Sequence, residues 1–141
     1  MEVTLAVLAD YANTTGDGKL NIMGVFDMVR TSVLPARLPQ MRLVFIIEAH
    51  YAERDRQQAI EIVFQDPDGK TILGLQGAFV LTGSVPGEPL SSHQILELTD
   101  TPLFSPGVHL FSIFVNNSVL RQVKLNVLLI EGGEGQLNLG E

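Results

Sequence analysis

Apolar and polar side chains alternate with a period of two through most of this chain, which is the geometry of a half-buried strand and not of a helix. Leu120 to Ile130 shows it most clearly. Val123, Leu125, Val127 and Leu129 fall on one face there, and Gln122, Lys124 and Asn126 on the other. Ala59 to Gln65 repeats the pattern, with Ile60, Ile62 and Phe64 set against Glu61 and Gln65. Val108 to Val115 is apolar on both faces, as a central strand covered on each side would be. No window of a dozen residues carries an i, i+3, i+4, i+7 apolar stripe free of Gly, Pro or β-branched interruption, so helix is confined to a turn or two.

Turn signals divide these runs at short intervals. Asn13-Thr14-Thr15-Gly16-Asp17-Gly18 ends the first run, and Pro35 and Pro39 mark an irregular loop before Met41. Asp66-Pro67-Asp68-Gly69 is a tight hairpin turn, and Asn116-Asn117 joins the last two strands because asparagine tolerates positive φ. The reading is eight strands, at 2–9, 20–30, 41–50, 58–65, 71–81, 91–99, 108–116 and 119–130. They predict an all-β fold, an antiparallel β-sandwich of Ig-like or Greek-key type. Several strands are apolar on both faces, which favours an open sandwich over a closed barrel. Residues 1–130 form the single domain, and the Gly/Glu-rich stretch 131–141 is read as a flexible tail. If successive strands run antiparallel, loops 10–19, 51–57, 82–90 and 116–118 share one end. Loops 31–40, 66–70 and 100–107 then share the other, together with both termini.

Composition removes whole classes of function. Of 141 residues, 9 are basic and 16 acidic, for a net charge of −7. No Lys/Arg cluster exists to neutralise phosphates, so neither nucleic acid nor an anionic membrane is expected as a partner. With no cysteine there is no disulfide, thiol chemistry or Cys-ligated metal. The first ten residues lack a basic leader and meet Asp10 too early for a signal peptide. The longest apolar run, Leu43 to Ile47, falls far short of the ~20 residues that span a bilayer. A cytoplasmic location is the expectation.

Candidate chemistry is sparse. Asp10, Asn13, Asp17, Glu53, Asp55 and Glu88 gather at the first-loop end in the eight-strand scheme, and loop carboxylates on a rigid scaffold can hold Ca²⁺. Their spacing matches no calcium loop. The simpler role for Asp10 and Asn13 is to cap turns through side-chain to backbone hydrogen bonds, with Asp17-Gly18 forming a tight turn. His50 and His93, with Asp55 or Glu88, are a second, zinc-type candidate set; His109 falls at the other end. No G-x-S-x-G elbow and no phosphate-binding glycine loop is present, and Ser84 sits in a loop. Sugar stacking finds no tryptophan and only Tyr11 and Tyr51. No catalytic residue and no cofactor is assigned.

Two stretches carry a family resemblance. Leu8-Ala9-Asp10-x-Ala12-Asn13, followed by Gly18-Lys19-Leu20-Asn21-Ile22-x-Gly24-Val25-Phe26-Asp27, resembles the opening of an uncharacterised family of small bacterial β-sandwich proteins. Pro35-x-x-x-Pro39, Asp66-Pro67-Asp68-Gly69 and Phe104-Ser105-Pro106-Gly107-Val108-His109-x-Phe111 continue it in order. The family pattern places an aromatic where His109 stands and a D-G turn where Asn116-Asn117 stands. The resemblance implies a compact sandwich and brings no activity, cofactor or catalytic residue with it. Physically, Gly24 would permit a bulge or close contact, and Asp27 could bond loop amides.

The functional expectation is a non-catalytic binding or assembly module that acts through loops or an apolar sheet face, with a protein partner or self-association. Val44, Ile46 and Val63, or Leu8 and Ala6, are the candidate exposed patch; cover by the 31–40 loop is the alternative. A loop-end Ca or Zn site, used for ligand binding or metal-dependent catalysis, is the competing reading.

Overall fold

A computed structural model of the chain describes residues 1–131 and the two-residue strand Asn138–Leu139. In chain order the strands are β1 (Glu2–Thr14), β2 (Leu20–Phe26), β3 (Met28–Thr31), β4 (Ala36–Ala49), β5 (Gln57–Gln65), β6 (Thr71–Val80), β7 (Leu90–Leu103), β8 (Gly107–Val115), β9 (Ser118–Leu129) and β10 (Asn138–Leu139). A single 3₁₀ turn, Tyr51–Glu53, is the one helical element among the described residues. Two sheets face each other, in the orders β2-β1-β4-β7 and β10-β3-β9-β8-β5-β6. The connections β2 to β3, β3 to β4, β4 to β5, β6 to β7 and β7 to β8 pass between the sheets. This is the all-β, Ig-like sandwich that the alternation requires. The tail read over 131–141 lies outside the described residues apart from Glu131 and β10, which pairs antiparallel with β3.

One expected strand is two. The run 20–30 breaks at Asp27: β2 pairs antiparallel with β1 in the smaller sheet, and β3 pairs parallel with β9 in the larger. The chain therefore climbs along β1, returns along β2, crosses between the layers and climbs again along β3. A continuous apolar pattern hides this, because both halves bury side chains in one core. Parity shows it, since Phe26 and Val29 are both buried although three residues apart. The extra reversal also corrects the loop grouping. Glu2 lies opposite Glu48, and Ala49 opposite Leu90, so the first residues of β1 share an end with loops 50–56, 81–89 and 116–117. The 15–19 loop lies at the opposite end, with 32–35, 66–70 and 104–106.

Two boundaries differ for local reasons. β1 runs on to Thr14, where Leu20 pairs with it across the turn. Pro39 lies inside β4, where β4 pairs with β7 alone, the edge-like setting that proline needs. The turns form as read. Asp66 Oδ1 accepts the Asp68 and Lys70 N–H groups at 2.9 and 2.8 Å. Asn116 and Asn117 take φ of 50° and 69°, a type I′ geometry that suits the twist of a two-residue hairpin.

The core fills the space between the layers. Leu8, Leu38, Leu43, Ile47, Phe64, Leu103, Phe111, Ile113 and Leu125 are all fully buried. Each contributes about 1.5–3 kcal/mol by leaving water. Phe64 stacks on Phe111 at 4.3 Å and on His109 at 5.5 Å. His109 shares the inward parity of Phe111 and Ile113 and has no exposed surface, so it takes an aromatic's place in the core. Its Nδ1 meets the Gly107 carbonyl at 3.1 Å, and its Nε2 is buried without a partner.

Burial holds the His109 pKa below the ordinary 6.5; the Gly107 carbonyl and the Asp66 charge oppose the shift without cancelling it. The unfolded chain therefore binds this proton more readily than the folded one. Stability is full above the unfolded value and falls as pH drops through about 6.5 toward the folded value, with a slope of at most ~1.4 kcal/mol per pH unit. Chemical denaturation between pH 7.5 and 5 should show this loss. His109→Phe, which can keep the stack on Phe64, should flatten that part of the profile.

Candidate functional site

The residues singled out from sequence are not brought together. Asp17 lies in the turn between β1 and β2, where it accepts a hydrogen bond from the Thr15 hydroxyl and pairs with Lys19 at 3.4 Å. The Thr15 hydroxyl is the main cause holding the Asp17 carboxyl below the usual range, and burial opposes it weakly. Asn13 lies within β1 and accepts from Asn21 Nδ2 across the strand pair at 3.0 Å, so it is a rung of the sheet and caps no turn. Asp10 is a strand residue as well. Its carboxylate occupies the space beside Gly24, whose φ is +71°. Asp27 uses its backbone carbonyl, which accepts the Asn126 N–H at 2.8 Å and joins the crossover to β9.

The histidine set is spread over the opposite end and one sheet face. His50 is exposed just after β4, and its N–H donates to Glu53 Oε1 at 3.1 Å. That hydrogen bond is the first cause lowering the Glu53 pKa. His93 lies opposite Ile46 on the outer face of the smaller sheet. Asp55 and Glu88 are exposed on the 50–56 and 81–89 loops. Among the described residues no three His, Asp or Glu side chains converge on a point that could hold a metal.

What the fold does assemble is a surface. On the smaller sheet, the pairings Val25–Ala9, Met23–Tyr11, Val7–Val44, Leu5–Ile46 and Val44–Ile95 place all these side chains on the outward face. Met23 is 63% exposed, Val25 60%, Tyr11 44% and Ile95 36%. Ile46 is partly exposed where the expected patch put it, whereas Val44, although it faces outward, is fully covered by its neighbours and exposes nothing. Leu8 and Ala6 point the other way, into the core, and Val63 lies on the outer face of the other sheet. Loop 32–35 lies at an end of the sandwich. The larger sheet's outer face carries polar pairs, Gln122 donating to Ser112 and Gln76 to Glu61, beside the exposed Val80, Val108 and Val119.

Arg42 crosses the apolar face as a strap. Its guanidinium donates to the Asp10 carbonyl of β1 at 2.6 Å and to Glu97 of β7 at 3.1 Å, and lies 4.8 Å from the Tyr11 ring centroid. Three strands are tied by one cation whose charge is already matched, so the face carries little free charge. Sequence reasoning missed this strap. Its one legible sign is a lone arginine at an outward position between apolar neighbours in β4.

Gly24 offers a direct test of the local geometry. A Cβ at this position would stand 2.4 Å from Asp10 Oδ2, on a backbone with φ of +71°. Gly24→Ala should therefore cost about 1–3 kcal/mol in urea denaturation. Adding Asp10→Gly should recover the steric part and leave about 1 kcal/mol for the left-handed backbone.

Two solved structures resemble the chain loosely. One is an immunoglobulin-like protein from Pseudomonas aeruginosa, at 15% identity and a TM-score of 0.43, covering 90% of this chain and 97% of that one. The other is the Pseudomonas fluorescens alkylpurine DNA glycosylase AlkC, bound to DNA containing an abasic site analog, at 18% identity and a TM-score of 0.42. That match covers 71% of this chain, which spans only 28% of the glycosylase chain. No curated protein matches. No helix among the described residues is long and apolar enough to cross a membrane. The family model described as a family of unknown function (DUF6941) matches residues 4–128, nearly the whole domain, and the chain belongs to that family.

Proposed function

We propose that the protein is a non-catalytic assembly module that docks a partner protein on the outer face of the β2-β1-β4-β7 sheet. The observation that carries this reading is the exposure of Met23, Val25, Tyr11 and Ile95 on the outward face of one sheet. Four strands about 4.8 Å apart and about eight residues long make a surface of roughly 500 Å². That is close to the ~600 Å² per partner of the smaller specific interfaces. Its cation, Arg42, is spent on Glu97, so an anionic membrane or nucleic acid would find no free positive charge there. An apolar protein surface fits instead. A cytoplasmic setting accords with the cysteine-free composition.

A photo-crosslinking residue at Val25 should yield one defined adduct, identified by mass spectrometry, and the same residue at Gln122 on the opposite outer face should yield none. Met23→Lys with Val25→Lys should weaken binding of that partner at least tenfold while the melting temperature holds. Equal adducts at both positions would overturn the reading.

The competing loop-end metal site predicts otherwise. Binding to the native state raises the melting temperature by mass action. We expect the same melting curve, within about a degree, in EDTA, Ca²⁺ and Zn²⁺. A rise of several degrees with either ion would favour the metal reading.

A further inference from the structure

The last strand of the larger sheet is unguarded. β6 pairs with β5 along one side, and among the described residues no strand pairs with its other side. Such an edge presents free N–H and C=O groups, which proteins blunt with charge, proline, a bulge or a covering segment. Thr71 to Val80 reads Thr-Ile-Leu-Gly-Leu-Gln-Gly-Ala-Phe-Val, ten residues with neither charge nor proline. Its one irregularity against β5 falls at the start, between the Leu73 and Thr71 pairings. Beside it, toward β7, opens a groove of about 170 Å³ floored by Phe45, Ile60, Ile62, Leu75 and Leu96. The groove stays open partly because Gly77 stands at an inward position opposite Ile60 and supplies no side chain. A methyl group there would make only ordinary contact with Ile60, at 3.6 Å.

We propose that β6 is the pairing edge of a homodimer, two copies joining their β6 strands antiparallel about a two-fold axis at Gln76. Any strand laid on this edge must carry apolar residues at alternate positions to cover the groove, and β6 carries that pattern itself: Leu73, Leu75, Gly77 and Phe79 point inward. With Gln76 opposite its own copy, Leu75 falls against the second copy's Gly77 and fills the position that glycine leaves empty. Leu73 falls against the second copy's Phe79. On the outer side Gly74 meets Ala78, and the two Gln76 amides meet each other. No like charges oppose anywhere along the seam, although each chain carries −7 overall. The contact is isologous and closes on itself, so it consumes both β6 edges and offers no β6 edge to a third copy. It lies on the other sheet from the apolar face proposed above and does not depend on that reading.

Light scattering at about 100 μM should give twice 15.4 kDa for the native chain. Gln76→Glu sets two like charges together at the axis, each beside Glu61 of its own chain, and should weaken the dimer at least tenfold, whereas Val25→Lys should leave it intact. The absence of cysteine makes single-cysteine variants clean. Gln76→Cys brings two Cα atoms to about 5 Å, within disulfide reach, and should cross-link on mild oxidation. Ala78→Cys, whose mate would lie about 14 Å away, should not. Circular dichroism confirms that each variant folds. A monomer throughout the concentration range, a dimer that survives Gln76→Glu, or equal cross-linking at 76 and 78 would overturn the proposal.

Discussion

The crossing at Asp27 decides more of this molecule than any other point in the chain. Its carbonyl accepts the Asn126 N–H and hands the chain from one sheet to the other. β2 therefore adds to β1 for seven residues only, and β3 is free to pair parallel with β9. Parallel neighbours need a crossover, and here the whole of the domain between β3 and β9 serves as that connection. Closing the sandwich across so many residues depends on non-local contacts, which is the slow and cooperative way to build a core. The same crossing turns the β1–β2 hairpin away from the loops that sequence order would have placed beside it.

Packing within the sandwich then separates two kinds of surface. Inward positions hold large apolar side chains at close density, with His109 standing as one aromatic-sized plane in the stack with Phe64 and Phe111. A neutral imidazole can do this because its apolar body stacks, while one ring nitrogen still finds a carbonyl. Outward positions differ between the sheets. The larger sheet carries short polar pairs, such as Gln122 with Ser112. The smaller carries Met23, Val25 and Ile95 around the Arg42 strap. An outward Arg42 paired with Glu97 and ringed by aliphatic carbon is what the proposed docking face needs.

The two surfaces proposed for contact with other chains are an apolar sheet face and an uncharged strand edge. Both are built on rigid strands. Neither needs a loop to move, and neither involves the carboxylates and histidines that looked most chemical in the sequence. Asp66 and Asp17 organise turns, Asn13 pairs across strands, and Asp10 fills the space that Gly24 leaves.

The sequence by itself determined the fold class, most of the strands, the turns at Asp66–Gly69 and Asn116–Asn117, and that neither cysteine, a G-x-S-x-G elbow nor a phosphate-binding glycine motif is present. These are local matters: period two places side chains on faces, and proline, glycine and asparagine set φ within a residue or two. Tertiary structure alone decided which face of each strand is inward, that 20–30 is two strands in different sheets, that His109 is buried, and that Arg42 reaches both β1 and β7. Those outcomes rest on pairings between residues tens of positions apart. Alternation is blind to them, because an apolar face looks the same whichever sheet it belongs to and whether another layer or a partner covers it.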